Sequence, residues 1–467
     1  MWALVLASLL VVWLTWHRYS HRHHNQYPYV YSYLPYLGAS IHFRHGAVRC
    51  VQRWVRQYGT IFNITMLGEP LTLIADPALF STISKHPQLS LLPLKTRMMG
   101  VGFGAFTYAT QPDETIQSIA AATRKSLTTS LGFHKPSLDE FNHASATTLL
   151  QKLQLSSSPK RVALYPFLNE VLFETLLEVF YGKDLATPAF RADFNAWDAK
   201  FTALYAGFPA AWLGVEEPRR RMHATLRQYA ATSRDKLSSV VTDRLAICAT
   251  HGVSPSDTDG HQLSFVWAMT TNTMRACFWA ICYLLENPTA WAAVQEEVEL
   301  HVGVTNTTWD RDAIEKCVRL ESAVKETLRL ALNSSAVRYA MEDVTLDFPD
   351  GRRLAMRKGD GLVLQSNLAY YDEAAFPDPF NFAYDRFLNN PSLAKDFSPF
   401  GFGKYLCPGQ HYATDFVKIV VTTLMLRASI TNVEGRATLQ HNAVGVFIPK
   451  DPLAVHVTLQ ARQAPHA

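Results

Sequence analysis

The strongest chemical signal in the sequence lies near the C-terminus, where residues 398–409 read Ser-Pro-Phe-Gly-Phe-Gly-Lys-Tyr-Leu-Cys-Pro-Gly. This loop places Cys407 directly ahead of a helical pattern over residues 411–426. Main-chain N–H groups and the N-terminus of a helix stabilise a thiolate, which is a ligand for soft metals, and glycines let the backbone approach a flat macrocycle. We therefore predict that Cys407 binds a metal; the alternative is a buried structural cysteine.

A second signal is an acidic and a basic residue three positions apart on one predicted helix. Glu326 and Arg329 share a helix face and can form an ion pair there. The spacing alone is weak evidence, because the pairs Glu216/Arg219 and Glu217/Arg220 have it too. Only the first pair is followed by the stretches Pro377-Asp378-Pro379-Phe380 and Tyr384-Asp385-Arg386-Phe387 before the Cys407 loop.

The loop pattern Phe400-x-x-Gly403-x-x-x-Cys407-x-Gly409 resembles the cysteine-ligand loop of the cytochrome P450 superfamily, the haem-thiolate monooxygenases. The resemblance implies a mainly α fold with small peripheral β-sheets. It also implies haem b as the cofactor, with the iron bound by the thiolate of Cys407 and further cofactor contacts from Phe400, Gly403 and Gly409.

The same resemblance assigns roles to basic residues elsewhere in the chain. Arg386 is expected to join Glu326 and Arg329 in a buried structural network behind the haem, which is costly unless every member is satisfied. Arg338 occupies a place where the superfamily often directs an arginine to a haem propionate; a plain surface arginine is the alternative. Arg124 resembles the second propionate cluster.

Residues 263–288 are apolar almost all round, which is typical of a helix through the centre of a large domain. In most members of the superfamily this helix carries an acid and a threonine that deliver protons to bound dioxygen. By resemblance, Asn272 occupies the threonine position and Thr271 the acid position, so the usual proton relay is missing. A one-residue alignment slip is the alternative, and neither alignment supplies an acid.

An asparagine at this position, followed by Cys277-Phe278-Trp279, is similar to the branch containing sterol 7α-hydroxylases, sterol 12α-hydroxylases and prostacyclin synthase. We predict that Asn272 and Thr271 are catalytic. Because the amide of Asn272 does not titrate, it would orient water or a substrate oxygen without acting as an acid.

The resemblance implies a monooxygenase that oxidises a bulky lipophilic substrate, such as a sterol, a terpenoid or a related lipid or secondary metabolite, with dioxygen and electrons from an NADPH-dependent reductase. An isomerase or dehydratase acting on a lipid peroxide without external dioxygen is the second interpretation. A haem-binding protein without turnover is the third. Arg275 on the central helix either pairs with another side chain or meets an oxygenated substrate.

The elements that must position these residues are mostly helices. Apolar periodicity predicts strands over 61–67, 71–74, 345–346 and 362–364, and helices over 47–58, 114–131, 164–181, 219–245, 263–286, 289–302, 312–330 and 411–426. Lys and Arg number 44 against 40 Asp and Glu, a net charge of +4 that does not favour a nucleic-acid partner.

The N-terminus differs from the rest of the chain. Residues 1–16 carry no charge, and a cluster of histidines and arginines follows them. We predict a single-pass transmembrane anchor over 1–16, with a cleaved signal peptide as the alternative. A polar, proline-containing linker over 17–38 and a catalytic domain over 39–467 follow. The arginines after the apolar segment predict a cytosolic catalytic domain, anchored in the endoplasmic reticulum membrane.

Overall fold

In a computed structural model of the chain, the described residues are 8, 11, 13, 25–32, 34, 36–43, 46–303, 309–333, 335–395, 397–401, 403–440 and 445–462. The predicted anchor over 1–16 lies outside them, apart from Ser8, Val11 and Trp13. The histidine-rich start of the predicted linker over 17–38 also lies outside them. No helix among these described residues has both the length and the apolar character that a membrane crossing requires.

Helices make up most of the described chain. They are α1 (Ser40–Phe43), α2 (Ala47–Tyr58), α3 (Phe80–Lys85), α4 (Leu92–Arg97), α5 (Asp113–Leu131), α6 (Pro136–Leu153), α7 (Leu164–Tyr181), α8 (Pro188–Asp198), α9 (Phe201–Tyr205), α10 (Glu216–Thr232), α11 (Ser239–Thr250), α12 (Pro255–Leu285), α13 (Pro288–His301), α14 (Arg311–Glu315), α15 (Val318–Ala331), α16 (Arg386–Asn389) and α17 (Gln410–Arg427).

The strands are short. They are β1 (Ile61–Met66), β2 (Glu69–Ile74), β3 (Leu89–Ser90), β4 (Lys160–Ala163), β5 (Leu332–Asn333), β6 (Ala336–Ala340), β7 (Val344–Asp347), β8 (Arg353–Met356), β9 (Gly361–Leu364), β10 (Ala428–Glu434), β11 (Leu439–Gln440), β12 (Gly445–Val446), β13 (Ile448–Pro449) and β14 (His456–Ala461). The prediction of a mainly helical chain with small sheets is confirmed.

The chain divides into two compact units. The first consists of residues 1–94, 333–380 and 401–406, and the second of residues 95–332, 381–400 and 407–467. The first unit contains a five-stranded sheet in the order β1-β2-β9-β6-β3, in which only the β2–β9 pairing is parallel. Apolar side chains on the two faces of this sheet form two buried clusters, one around Leu362 and the other around Leu73.

The second unit is built around α12, which is 31 residues long and buried along most of its length. Ser254 caps this helix by accepting a hydrogen bond from the main-chain N of Asp257, and Pro255 occupies its first turn. Helices α7, α10, α15 and α17 pack against α12. Because neighbours surround it, its apolar residues need not be confined to one stripe, as the sequence predicted for a central helix.

Two predicted helices are each interrupted in the structure. The helix predicted over 219–245 is wrong as a single element, because α10 ends at Thr232 and the side chain of Ser238 caps the separate helix α11. The helix predicted over 312–330 is likewise divided into α14 and α15. At this second break the buried carboxylate of Glu297 accepts hydrogen bonds from the main-chain N atoms of Arg319 (2.9 Å) and Leu320 (3.0 Å), which satisfies the first turn of α15.

Candidate functional site

The Cys407 loop ends directly before α17, as the sequence predicted, and Cys407 itself lies three positions before the first residue of that helix. The main-chain N of Cys407 donates to the carbonyl of Phe400 at 2.9 Å, which closes the loop on itself. Gly401 and Gly403 have φ values of +85° and +57°, which disfavour any residue with a side chain. The loop therefore presents the Cys407 side chain near the positive end of a long helix.

The environment of the Cys407 thiol contains opposing influences. Its side chain is solvent-exposed by surface area, yet enough protein surrounds it that burial raises the pKa of the thiol. The main-chain N–H of Gly409 and the positive charge of Arg124 lower that pKa and favour the thiolate. Of the predicted cofactor contacts, Arg124 on α5 is thus brought close enough to Cys407 to influence its charge.

Gly409 has no conformational reason to be glycine. Its φ is −94°, a value that any residue adopts, and a Cβ atom added there would meet no described atom of the protein within 4 Å. Packing within the described chain therefore does not require glycine at this position. A flat group that approaches the loop closely would require a residue without a side chain at position 409. Glycine at this position therefore fits the predicted cofactor contact.

Two partly buried basic groups of the second unit, Lys95 and Arg124, lack carboxylate partners among its described residues. Lys95 has a pKa lowered to about 8, chiefly because it is buried and also because Arg244 and Arg124 lie near it. Neither Lys95 nor Arg124 forms an ion pair with any described acidic residue. Cations partly withdrawn from water are stabilised by anions, and haem carries two carboxylates, so Lys95 and Arg124 fit such a group.

Arg338 in the first unit is buried, contrary to the surface alternative. Its Nη1 donates to the carbonyl of Val337 at 2.8 Å, its guanidinium lies 4.4 Å from the ring centre of Tyr405, and its Nε has no partner among the described groups. Burial lowers the pKa of Arg338. An orphaned, buried guanidinium also fits a carboxylate such as a haem propionate.

Tyr405 occupies the loop position two residues before Cys407. Its hydroxyl lies 3.1 Å from the Ser90 hydroxyl and accepts a hydrogen bond from the main-chain N of Leu91 at 3.1 Å. Burial acts to raise the pKa of Tyr405, but these hydrogen bonds and the cations Lys404 and Arg338 outweigh it, so the net shift is downward. Tyr405 therefore contacts Arg338 through its ring and does not supply a further cation.

Glu326, Arg329 and Arg386 come together in a buried cluster of the second unit. The Glu326 carboxylate accepts from Arg329 Nε at 2.7 Å, from Arg329 Nη2 at 2.8 Å and from Arg386 Nε at 3.0 Å. The main-chain N of Ala383 adds a fourth hydrogen bond at 3.1 Å. Glu326 and Arg329 are fully buried, whereas the Glu217/Arg220 pair with the same spacing is exposed.

One face near the middle of α12 is open, although most residues of the helix are buried. Ala268 is exposed, and Ser264 and Asn272, one turn to either side, are partly exposed. These residues are spaced four apart and therefore share a face, which we call the open face. The residue predicted at the oxygen-binding position, Asn272, thus borders solvent-accessible space in the second unit.

The oxygen of the Asn272 side-chain amide takes part in a hydrogen bond within the protein. Its Oδ1 accepts a hydrogen bond from the main-chain N of Val446 at 2.9 Å. Since a main-chain N–H can only donate, this contact fixes the amide orientation and directs Nδ2 away from Val446. The amide nitrogen is therefore a candidate donor to a molecule on the open face.

Thr271 lies on the neighbouring face of α12, together with Trp267 and Arg275. Asp198, the last residue of α8, accepts from Trp267 Nε1 at 2.9 Å and pairs with Arg275 Nη2 at 2.5 Å, and the Thr271 hydroxyl lies 3.4 Å away. Arg275 also donates to the carbonyl of Val446 at 3.4 Å. Of the two interpretations of Arg275, the structure shows pairing with another side chain.

Two residues of this region, Asp198 and Lys95, were not identified from the sequence. Asp198 supplies the carboxylate that α12 itself lacks, but it lies 77 positions from Arg275 and no local pattern connects the two. Lys95 gives no signal in the sequence beyond being one of many basic residues. Only the fold brings it to a buried place near Arg124.

Comparisons with known proteins agree on one family. A family model described as Cytochrome P450 matches residues 28–457. The chain is 25% identical to Cytochrome P450 7B1 of Mus musculus, covering 93% of this chain and 90% of that protein. It is 26% identical to 7-alpha-hydroxycholest-4-en-3-one 12-alpha-hydroxylase of Homo sapiens, covering 87% of each. Cholesterol 7-alpha-monooxygenase of Cricetulus griseus is 24% identical, with 89% of each covered.

A solved structure shares the fold. The structure of retinoic acid bound cyanobacterial CYP120A1 matches with a TM-score of 0.73 and 20% sequence identity, covering 93% of this chain and 99% of that chain. At this identity the similarity establishes the fold alone.

Proposed function

Because the chain belongs to the cytochrome P450 family and is therefore an oxidoreductase of the monooxygenase type, we propose that it oxidises a bulky lipophilic substrate, a sterol, a terpenoid or a related lipid. The family implies haem b bound through a cysteine thiolate. The observation that carries the substrate proposal is the open face of α12, where a small apolar residue, Ala268, is exposed in the middle of a mostly buried helix.

We assign the thiolate ligand to Cys407, with Phe400, Gly403 and Gly409 forming the loop around it. When bound, the haem supplies iron that activates dioxygen with two electrons. The chain's own residues hold that group. Arg124 and Arg338 are our candidates for its carboxylates, and the Glu326, Arg329 and Arg386 network keeps the surrounding backbone in place.

Asn272 orients the reactants in this proposal and does not transfer a proton. Its Oδ1 is engaged by Val446, so the free Nδ2 donates a hydrogen bond to water or to a substrate oxygen on the open face. Thr271 is buried against Asp198 and does not share that face. Protons then arrive through ordered water, because neither α12 residue of the predicted relay is an acid.

We propose membrane association and an NADPH-dependent reductase as the partner, with the endoplasmic reticulum as the location. Apolar side chains in residues 206–215 support membrane contact, because Trp212 is 82% exposed and Phe208 is 44% exposed. Exposed aromatic residues of this kind are costly in water and are accommodated at a lipid interface. A lipophilic substrate would reach the protein from the same phase.

The second candidate is an isomerase or dehydratase that acts on a lipid peroxide. The absence of an acid among Ser264, Ala268 and Asn272 on the open face favours it, since such a reaction needs no external proton delivery. The curated sterol relatives favour the monooxygenase.

The test is product formation from a panel of sterols, terpenoids and fatty-acid hydroperoxides with NADPH and a reductase under ¹⁸O₂. The monooxygenase predicts one labelled oxygen atom in the product and no turnover without NADPH or dioxygen. A product that forms anaerobically from a hydroperoxide, without NADPH, would contradict it and support the isomerase.

A further inference from the structure

A second group of polar residues, separate from the Cys407 loop, surrounds Arg244 on α11. Arg244 is 6% exposed and forms no ion pair with any described acidic residue. Its Nη2 donates to the carbonyl of His261 at 2.5 Å and lies 3.5 Å from the Ser264 hydroxyl, and its guanidinium lies 4.9 Å from the ring centre of Phe265. A buried guanidinium without an anion is unfavourable by several kcal/mol.

Four buried polar atoms near this guanidinium have no hydrogen-bond partner among the described groups. They are Arg244 Nε, Tyr108 Oη, His261 Nε2 and Gln262 Nε2, and each of the four side chains is more than nine-tenths buried. The rings of Tyr108 and His261 are 4.8 Å apart. The Gln262 Oε1 already lies 3.2 Å from the Tyr181 hydroxyl, so its amide nitrogen is the free end.

These orphaned atoms are mainly donors. Arginine Nε and amide nitrogen only donate, and a tyrosine hydroxyl donates readily. Burial and the nearby cations Arg244 and Lys95 lower the pKa of His261 to about 3, so the imidazole is neutral at neutral pH. The group therefore carries the positive charge of Arg244, and its orphaned donors lack an acceptor. Its complement is an anion with several acceptor oxygens.

The position of the group relates it to the open face of α12. Ser264, which contacts Arg244, is the first residue of that face, and Asn272 lies eight residues further on, about 12 Å along a helix. Arg124, in contrast, lowers the pKa of the Cys407 thiol through its positive charge, and Arg244 has no such effect on that pKa. Arg124 is thus the better candidate for a haem carboxylate, and Arg244 for a molecule on the open face.

We propose that Arg244, together with Tyr108, His261 and Gln262, binds the carboxylate of an acidic lipophilic substrate whose apolar body extends along the open face towards Asn272. This inference rests on the proposed function and adds to it the chemical class of the substrate. The open face from Ser264 to Asn272 is about 12 Å long, which is the span that the apolar body of this substrate would cover.

The test uses haem-loaded protein and two pairs of probes, palmitic acid with its methyl ester and abietic acid with its methyl ester. Binding is measured by the ligand-induced shift of the Soret band. We expect each acid to bind at least about tenfold more tightly than its ester, since a charge-assisted hydrogen bond contributes that much. In Arg244→Gln the preference should fall to within about twofold.

Arg219→Gln is the matched control, because Arg219 is also buried and donates to main-chain carbonyls, but lies outside this group. This variant should keep the preference for acids. If Arg244→Gln does not fold, Tyr108→Phe tests the same site, with an expected partial loss of the preference.

Equal affinity of wild-type protein for acids and esters would overturn this inference while leaving the proposed function intact, because lipophiles would still bind. Loss of haem from Arg244→Gln in proportion to its lost acid preference would also overturn it, since the group would then bind the haem's own carboxylates. If none of the four probes, and none of the panel above, shifts the Soret band, the proposed function itself fails.

Discussion

The Asn272 side chain holds the main-chain N of Val446 through a 2.9 Å hydrogen bond, across 174 positions of sequence. The residue before Val446, Gly445, has a φ of +74°, and a Cβ atom added to it would overlap Asn272 Oδ1. Arg275 and Trp279, further along α12, donate to the carbonyls of Val446 and Phe447. Asn272, which we predict to lie at the oxygen-binding position, therefore also fixes the segment Gly445–Phe447 against the central helix.

Gly445→Ala should lower the melting temperature and reduce the yield of product per NADPH consumed, because the added methyl displaces the Asn272 amide. Gly252→Ala is the control, since Gly252 also has positive φ (+63°) but open space around it, so it reports the backbone cost alone. In an Asn272→Ala background the extra loss caused by Gly445→Ala should disappear. Equal losses in both backgrounds would show that the two residues do not interact.

Glu326→Gln should destabilise the protein by about 3 to 5 kcal/mol and lower its haem content, because the change leaves Arg329 and Arg386 without their shared charge in a buried place. Urea unfolding and the ratio of haem to protein measure the two effects. Glu217→Gln, which removes the same charge from an exposed pair of the same spacing, should change neither quantity appreciably. A similar response from both variants would contradict a structural role for the buried network.

Asp198→Asn should destabilise the protein by about 2 kcal/mol, because Arg275 is 6% exposed and loses its carboxylate. Asp193→Asn on the same helix is the control, since its partner Arg221 is half-exposed and can be solvated. Thermal unfolding of the two variants should separate them clearly, with Asp198→Asn melting lower. If Asp193→Asn proves the more damaging, the Asp198 ion pair does not hold α8 to α12.

His223 should make the protein less stable in mild acid. Burial, assisted by Arg219 and Arg227, lowers the pKa of His223 to about 4, although its Nε2 donates to the carbonyl of Phe103 at 2.9 Å. The unfolded chain binds a proton near pH 6.5 and the folded protein does not, so stability is full above that pH and falls by about 2 to 3 kcal/mol between pH 6.5 and 4. Unfolding free energies measured across this range should show a smaller fall in His223→Gln. His301→Gln, at an exposed site, should follow the wild-type curve.

Local patterns were sufficient for many elements of the fold. Helices over Ala47–Tyr58 and Leu164–Tyr181 have the predicted bounds, because apolar spacing marks both and a glycine follows each of them. The break between α14 and α15 was not predictable, since the carboxylate that satisfies the start of α15 comes from Glu297 on another helix. Sequence periodicity contains no information about a cap supplied from a distance.

The residues of the site likewise fall into those that the sequence could identify and those that it could not. The Cys407 loop could be identified because its pattern is unusual. The Glu326, Arg329 and Arg386 cluster could be identified from the family resemblance, since the spacing of Glu326 and Arg329 alone is shared by other pairs. The Asp198 ion pair and the Arg244 group could not, because each depends on burial and on side chains from separate helices. Only the structure showed that one end of the Asn272 amide is already engaged.

A reduced, carbon monoxide difference spectrum of purified, haem-loaded protein tests directly whether Cys407 binds the iron. We expect the long-wavelength Soret band that thiolate-bound haem gives, its loss in Cys407→Ala, and its retention in Cys50→Ala, which alters another free cysteine. Retention of that band in Cys407→Ala, or a wild-type spectrum typical of nitrogen or oxygen ligation, would contradict the assignment of Cys407 as the iron ligand.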